Sequence, residues 1–237
     1  MAAGLKLSVI IPVGPGETAW RALLGDLGAL REQAEIILVA TPGGIPRDFR
    51  MQDYGLDAPT SWLAAPAGRA RQQNAGAAAA GGEMLWFLHA DTRVPAESLA
   101  AARGFSDATA LGYFELRFAD DSPRLVRLNA LGARLRSRWL GLPFGDQGFV
   151  LARRLFESLG GFDESLPAGE DHALVWAARR AGVRLAPLDT PLLTSARRYA
   201  ERGWLRTTLR HARLTAVQAW RYARIQRRGR GAGDYAP

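Results

Sequence analysis

The residue best placed for chemistry is Asp91, which closes the apolar run Leu85-Trp86-Phe87-Leu88-His89-Ala90-Asp91 and is followed by Thr92 and the loop-forming Pro95. A carboxylate beyond the end of a buried strand can hold a divalent cation against phosphate oxygens. It can equally cap a helix starting near Pro95, or pair with Arg93, and position alone does not separate these uses. Glu170-Asp171 stands at a predicted helix start, where the positive end of the helix dipole favours negative charge and suits a proton-accepting carboxylate. Such acids also stabilise helix starts with no catalytic part. Arg69 and Arg71 stand at the opening of another predicted helix, where guanidinium groups and free amides can meet a diphosphate or nucleobase, or simply be solvated. Asp146-Gln147 follow Gly145 on a predicted loop, where polar side chains can meet a ligand, although Gly and Asp also make turns unaided.

These residues need a scaffold, and the hydrophobic pattern supplies one. Residues 7–12 and 35–40 are short apolar runs ended by Pro12-Val13-Gly14-Pro15-Gly16 and Thr41-Pro42-Gly43-Gly44, as expected of buried parallel strands. Between them Thr18 is a candidate cap for a helix with Trp20, Leu23, Leu24, Leu27 and Leu30 on one face. Residues 69–80 predict an alanine-rich helix ended by Gly81-Gly82, and 83–90 a further apolar strand. Beyond a helix at 96–104, residues 112–118 alternate as a half-exposed strand does, which predicts a less buried second half. Residues 125–140, 153–159 and 171–181 read as helices, 148–152 as extended, and 183–186 as a short strand. Alternating strands and helices predict an α/β fold with a parallel or mixed sheet covered on both faces. Ligands in such sheets sit beyond the carboxyl ends of the strands, where Asp91 lies.

Composition narrows the functions available. With 237 residues, 48% hydrophobic and 23% charged, the chain can bury a full core. It has no cysteine, so disulfides, thiol nucleophiles and thiolate metal sites are excluded; any metal is held by oxygen or imidazole. A cytoplasmic setting is compatible with this. No apolar stretch approaches the roughly 18–20 residues needed to cross a bilayer. From Arg197 onward 11 Arg stand against Glu201 and Asp234, or +9, which leaves about −1 for the rest of the total +8. The basic character therefore belongs to the tail, which argues against a nucleic-acid groove in the main domain. Within that tail Leu205, Leu209, Ala212, Ala216, Trp220 and Ala223 recur on one helical face, with Arg206, Arg210, Arg213 and Arg224 largely elsewhere. Such a helix suits peripheral association with the inner face of a membrane or packing on the main domain or a second copy. The oligomeric state is not legible.

Val9-Ile10-Ile11-Pro12, Arg69-x-Arg71-Gln72-x-Asn74-Ala75-Gly76, Leu88-His89-Ala90-Asp91-Thr92, Gly145-Asp146-Gln147, Gly160-Gly161-Phe162 and Glu170-Asp171 occur in an order that resembles glycosyltransferase family 2, with the GT-A fold. Within it the set is most similar to a small bacterial branch described as radical-SAM/selenodomain-associated transferases. The resemblance spans residues 7–198, which implies a GT-A domain over 1–198 and a basic helical extension over 199–237. It implies a nucleoside-diphosphate sugar donor, a hydroxyl acceptor and a divalent metal, Mn²⁺ or Mg²⁺. His89-Ala90-Asp91 takes the place of the family's D-x-D motif, with Asp91 on the metal and diphosphate and His89 at the first acidic position. Asp171, beside Glu170, takes the place of the base in an inverting transfer. Pro12, Arg69, Arg71, Ala90 and Asp91 fall on the nucleotide-sugar side, and Asp146 and Gln147 on the acceptor or sugar side.

The chain departs from the family where the nucleobase is gripped: Pro15-Gly16 replaces the usual Asn-Glu, and Ala40 replaces an Asp at the end of the second strand. Glu17 follows one position late. A GT-A-like nucleotide-binding or scaffold protein without turnover is therefore a second reading. A nucleotidyltransferase is a third, weakened because no Gly-rich basic phosphate loop follows the first strand.

Overall fold

The computed structural model describes residues 6–30, 34–118 and 126–194. Six consecutive residues, every one buried, make Leu7–Pro12 (β1) a strand covered on both faces. It pairs in parallel with Ala34–Ala40 (β2) on one side; β2 in turn pairs in parallel with Thr60–Ala64 (β3). On its other side β1 pairs in parallel with Met84–Phe87 (β4). Beyond β4 the sheet becomes mixed. The remaining strands are Thr92–Arg93 (β5), Ala110–Phe118 (β6), Phe149–Ala152 (β7) and Arg184–Thr194 (β8). β7 runs antiparallel to β4 and β6, β6 parallel to β8, and β5 antiparallel to β8. The order across the eight strands is β3-β2-β1-β4-β7-β6-β8-β5.

The helices are Trp20–Asp26 (α1), Arg69–Ala79 (α2), Ala96–Gly104 (α3), Val126–Trp139 (α4), Arg153–Ser158 (α5) and Glu170–Arg180 (α6). The period of two along β1 divides the core: Val9 and Ile11 pack with Leu24, Trp86 and Phe114, whereas Ile10 packs with Phe87, Phe156 and Val175. α2 lies so close to the sheet that a Cβ on Gly76 would sit 2.6 Å from Ile10 Cγ2, so glycine is required there by space. Asn74 on the same helix donates to the Phe162 carbonyl (2.9 Å) and accepts from the Phe162 N–H (3.0 Å). It thereby ties the Gly160-Gly161-Phe162 turn to α2.

The α/β fold with a mixed, helix-flanked sheet matches expectation, and three local readings are corrected. Residues 112–118 are not a half-exposed strand. β6 lies between β7 and β8, is buried over residues 110–114, and regains exposure only towards its end. The polar residue that made it look amphipathic, Glu115, is drawn into ion pairs with Arg134 and Arg138. The strand expected at 183–186 runs on to Thr194, because pairing with β6 resumes past a register shift after Tyr113. Pro187 and Pro191, together with Asp189 at φ 55°, hid that continuation. Thr18 does not cap α1; Glu17 Oε1 instead accepts the N–H groups of Thr18 (2.8 Å) and Ala19 (2.9 Å).

Among the described residues no helix is long and apolar enough to cross a membrane. The boundary expected near residue 198 and the basic helical face at 205–223 lie outside the described residues.

Candidate active site

Asp91 sits in the turn between β4 and β5, beyond the carboxyl end of β4. Neither competing use of its carboxylate is realised. Arg93 makes a two-pronged pair with Asp26, Nε to Oδ2 at 2.6 Å and the second nitrogen to Oδ1 at 2.7 Å. α3 starts at Ala96 with Pro95 at its N-cap and no side-chain cap bond. Asp91 lines a cavity of about 450 Å³ together with Pro12, Glu17, Arg69, His89 and Ala90. Among the described residues no hydrogen bond or ion pair engages the Asp91 carboxylate.

The cavity's near wall is held by a residue for which no role was expected. Gln72 is buried, and its Nε2 donates to the carbonyls of Val13 and Val39, both at 2.9 Å. It pins the turn after β1 to the end of β2. On the far side, Arg69 donates to Glu170 Oε1 at 3.2 Å; Glu170 is buried at the first turn of α6. Arg69 and Glu170 also line a second cavity of about 540 Å³, so Arg69 stands at the junction of the two.

The Gly145–Gln147 turn meets the start of α6. The Gly145 N–H donates to Asp171 Oδ2 at 2.7 Å, and Asp171 Oδ1 accepts the His172 N–H at 2.8 Å. A Cβ on Gly145 would lie 3.0 Å from Asp171 Oδ2 and 3.2 Å from His89 Nε2. The end of β4, the turn and α6 therefore converge on one point, although Asp171 and Asp146 line neither cavity. Asp146 is the electrostatic centre of this group. Burial pushes its carboxyl up to about 6; Arg136 and Arg69 pull it down, while Asp171 and Asp91 push it up. Asp146 Oδ1 is enclosed and has no hydrogen-bond partner among the described residues.

Two expected site residues are placed elsewhere. Gln147 is 1% exposed and lines neither cavity. Its Oε1 accepts from Ser137 Oγ (2.7 Å), the Phe144 N–H (3.1 Å) and Arg136 (3.3 Å), and its Nε2 donates to the Phe114 carbonyl (3.0 Å). Its amide holds the turn. Arg71 does not line the Asp91 cavity; its guanidinium lies 3.9 Å from Glu164 on the other cavity's rim. Arg136, 3.5 Å above the Phe144 ring and bonded to the Leu142 carbonyl, was also missed. In sequence it is one arginine among several on a helix.

Among the described residues no group of three or more His, Cys, Asp or Glu side chains is arranged to hold a metal ion. Asp91 and His89 bring a carboxylate and an imidazole to the lining of this cavity. That fits a cation completing its shell with diphosphate oxygens and water, and does not fit a cation caged by protein alone.

The fold is that of GT-A-like glycosyltransferases. The chain is similar to S. aureus TarS, with a TM-score of 0.59 and 19% identity over 80% of this chain and 36% of that one. It is similar to S. aureus TarS 1-349 in complex with UDP-GlcNAc, at 0.58 and 19% over 80% and 58%. It is also similar to the mannosyltransferase PcManGT from Pyrobaculum calidifontis in complex with GDP-Man and Mn²⁺, at 0.58 and 20% over 79% and 56%. The chain thus spans less than two thirds of each of these chains. No protein-family model and no curated protein sequence matches it.

Proposed function

We propose that this chain transfers a sugar from a nucleoside-diphosphate donor to an acceptor hydroxyl, with inversion at the anomeric carbon. The observation that carries the reading is the Asp91 carboxylate, engaged by no side chain among the described residues, in a cavity bounded by Arg69 and His89. The likeness to proteins solved with UDP-GlcNAc, or with GDP-Man and Mn²⁺, supports a donor of this class.

In this reading Asp91 and His89 are the residues that would hold Mn²⁺ or Mg²⁺, and such a cation would supply positive charge for the departing diphosphate. Arg69, steadied by Glu170, adds a fixed positive charge at the diphosphate. Pro12 and Ala90 form the cavity surface on the donor side. Asp171 is held by two backbone N–H groups, one on each oxygen, which leaves each oxygen a lone pair for an incoming hydroxyl. The acceptor oxygen bonds to the anomeric carbon as the bond to diphosphate breaks, and its proton passes to Asp171. Asp146, enclosed in the turn that Gln147 holds, is assigned with Gln147 to the acceptor or sugar side.

A second reading, a nucleotide-binding protein without turnover, is favoured by one observation: β2 ends in the buried, uncharged Ala40, and Glu17 is tied to the start of α1. A screen of UDP- and GDP-sugars with Mn²⁺, reading diphosphate release, separates the two. Transfer chemistry predicts release that falls by roughly 10²- to 10⁴-fold in Asp171→Asn with donor affinity little changed. Binding without release supports the second reading, and neither binding nor release with any donor overturns both.

A further inference from the structure

A third cavity, of about 930 Å³, opens at the other end of the sheet from Asp91. Leu7 and Met84, paired at the starts of β1 and β4, line it, whereas Pro12 at the end of β1 and Asp91 beyond the end of β4 line the candidate site. Roughly 17 Å of strand separates the two. The floor of this third cavity is apolar: Leu7, Met84, Ala102 and Ala152 are buried, and Phe105 is half-buried. Its rim is cationic, with Lys6, Arg103, Arg153 and Arg154 against Glu83 and Glu157. The chain before residue 197 is close to neutral in total, so this is a local excess of positive charge.

The fold does not use up these cations. Among the described residues no ion pair engages Lys6, Arg103 or Arg154, and Glu83 and Glu157 pair with none of them. Arg153 is held in place: its guanidinium donates to the carbonyls of Ala80 (2.7 Å) and Gly81 (2.9 Å), and its backbone N–H donates to the Glu83 carbonyl (2.8 Å). Bonds to neutral carbonyls leave its charge uncompensated and most of its N–H groups unused. A cleft with an excess of one sign over low-dielectric walls concentrates counter-ions. Phosphate fits this cleft, because it brings about two negative charges and three acceptor oxygens to the guanidinium forks. The apolar floor suits an aromatic or similarly flat body attached to that phosphate. A lipid surface fits less well. The large apolar side chains exposed among the described residues, Leu131, Leu135, Trp139 and Leu140, line no part of this cavity, so its described rim has none to insert into a bilayer.

We infer that this cavity is a second ligand site, separate from Asp91, for a soluble organic phosphate with an aromatic or apolar body. Arg153 and the mobile heads of Lys6, Arg103 and Arg154 meet the phosphate, and the floor around Phe105 takes the body. The inference does not depend on the sugar-transfer reading.

Lys6 is the only lysine in the chain, which gives a direct readout. The probe is pyridoxal 5′-phosphate, an aromatic phosphate whose aldehyde condenses with an amine to an imine with loss of water. After borohydride reduction of the imine in the full chain, peptide mapping reads the modified fraction of Lys6. The site predicts labelling of Lys6 that saturates with probe and is on the order of tenfold more efficient than labelling by pyridoxal, which lacks the phosphate. In the double variant Arg103→Gln with Arg154→Gln that preference falls by about tenfold, while labelling by pyridoxal and the thermal midpoint stay as in the wild type. Soluble 1-naphthyl phosphate protects Lys6. Three results overturn the inference. One is labelling with no preference for the phosphate. Another is a preference that survives loss of both arginines. The last is protection by phosphatidic acid vesicles but not by 1-naphthyl phosphate, which assigns the cations to a lipid surface.

Discussion

Two carboxylates with opposite circumstances define the site. Asp91 has no protein partner among the described residues, whereas Asp171 is fixed by the N–H groups of Gly145 and His172. An unpartnered carboxylate at a cavity suits a cation, and a fixed one suits directional proton transfer. Gly145 lies against Asp171 and against His89, two residues before Asp91, so that any Cβ there presses on both Asp171 and His89. Gly145→Ala should therefore lower kcat by about tenfold or more while donor affinity changes little, which steady-state kinetics and calorimetry would check together. Asp146 gives a pH signature. Its carboxyl is raised from 3.8 to about 6, so the fold binds its proton more tightly than the unfolded chain does. The stability this contributes is full below about pH 4 and is lost as pH rises through about 6, at a cost on the order of 1–3 kcal/mol. Thermal unfolding of the ligand-free protein should show that decline in the wild type, and Asp146→Asn should flatten it.

At the scale of elements, much was legible because the first half of the chain is built from fully buried parallel strands. Runs such as Ser8-Val9-Ile10-Ile11 and Glu35-Ile36-Ile37-Leu38 announce themselves by composition. The second half was harder to read. β6 carries Glu115 and Arg117, and β8 carries two prolines and a positive-φ aspartate, so local pattern pointed to exposure and to an early end. Tertiary ion pairs and long-range pairing decided those cases, and neither is written in a short window. Gln72 shows the same limit. Its two hydrogen bonds reach strands 59 and 33 residues away. Gln72→Leu leaves the Val13 and Val39 carbonyls buried without that donor and should destabilise the chain by about 2–4 kcal/mol in urea unfolding. It should also weaken donor binding, because the turn after β1 forms the cavity wall.

For the whole molecule, the order of the motifs along the chain anticipated which segments meet. The end of β4, the Gly145 turn and the start of α6 are far apart in sequence and converge around Gly145, while α2 contributes Arg69. What the motifs did not reveal was the division of labour within them. Gln147 and Arg71 look as reactive as their neighbours, yet one is held by four hydrogen bonds and the other lines the second cavity beside Glu164. The central claim is that Asp91 holds a cation against a donor diphosphate. It is tested most directly by calorimetric titration of UDP- and GDP-sugars into the full chain and into Asp91→Ala, with and without Mn²⁺. The account predicts binding of at least one donor that strengthens with Mn²⁺ and weakens by about tenfold or more in Asp91→Ala. Donor binding indifferent to both Mn²⁺ and Asp91→Ala would contradict it.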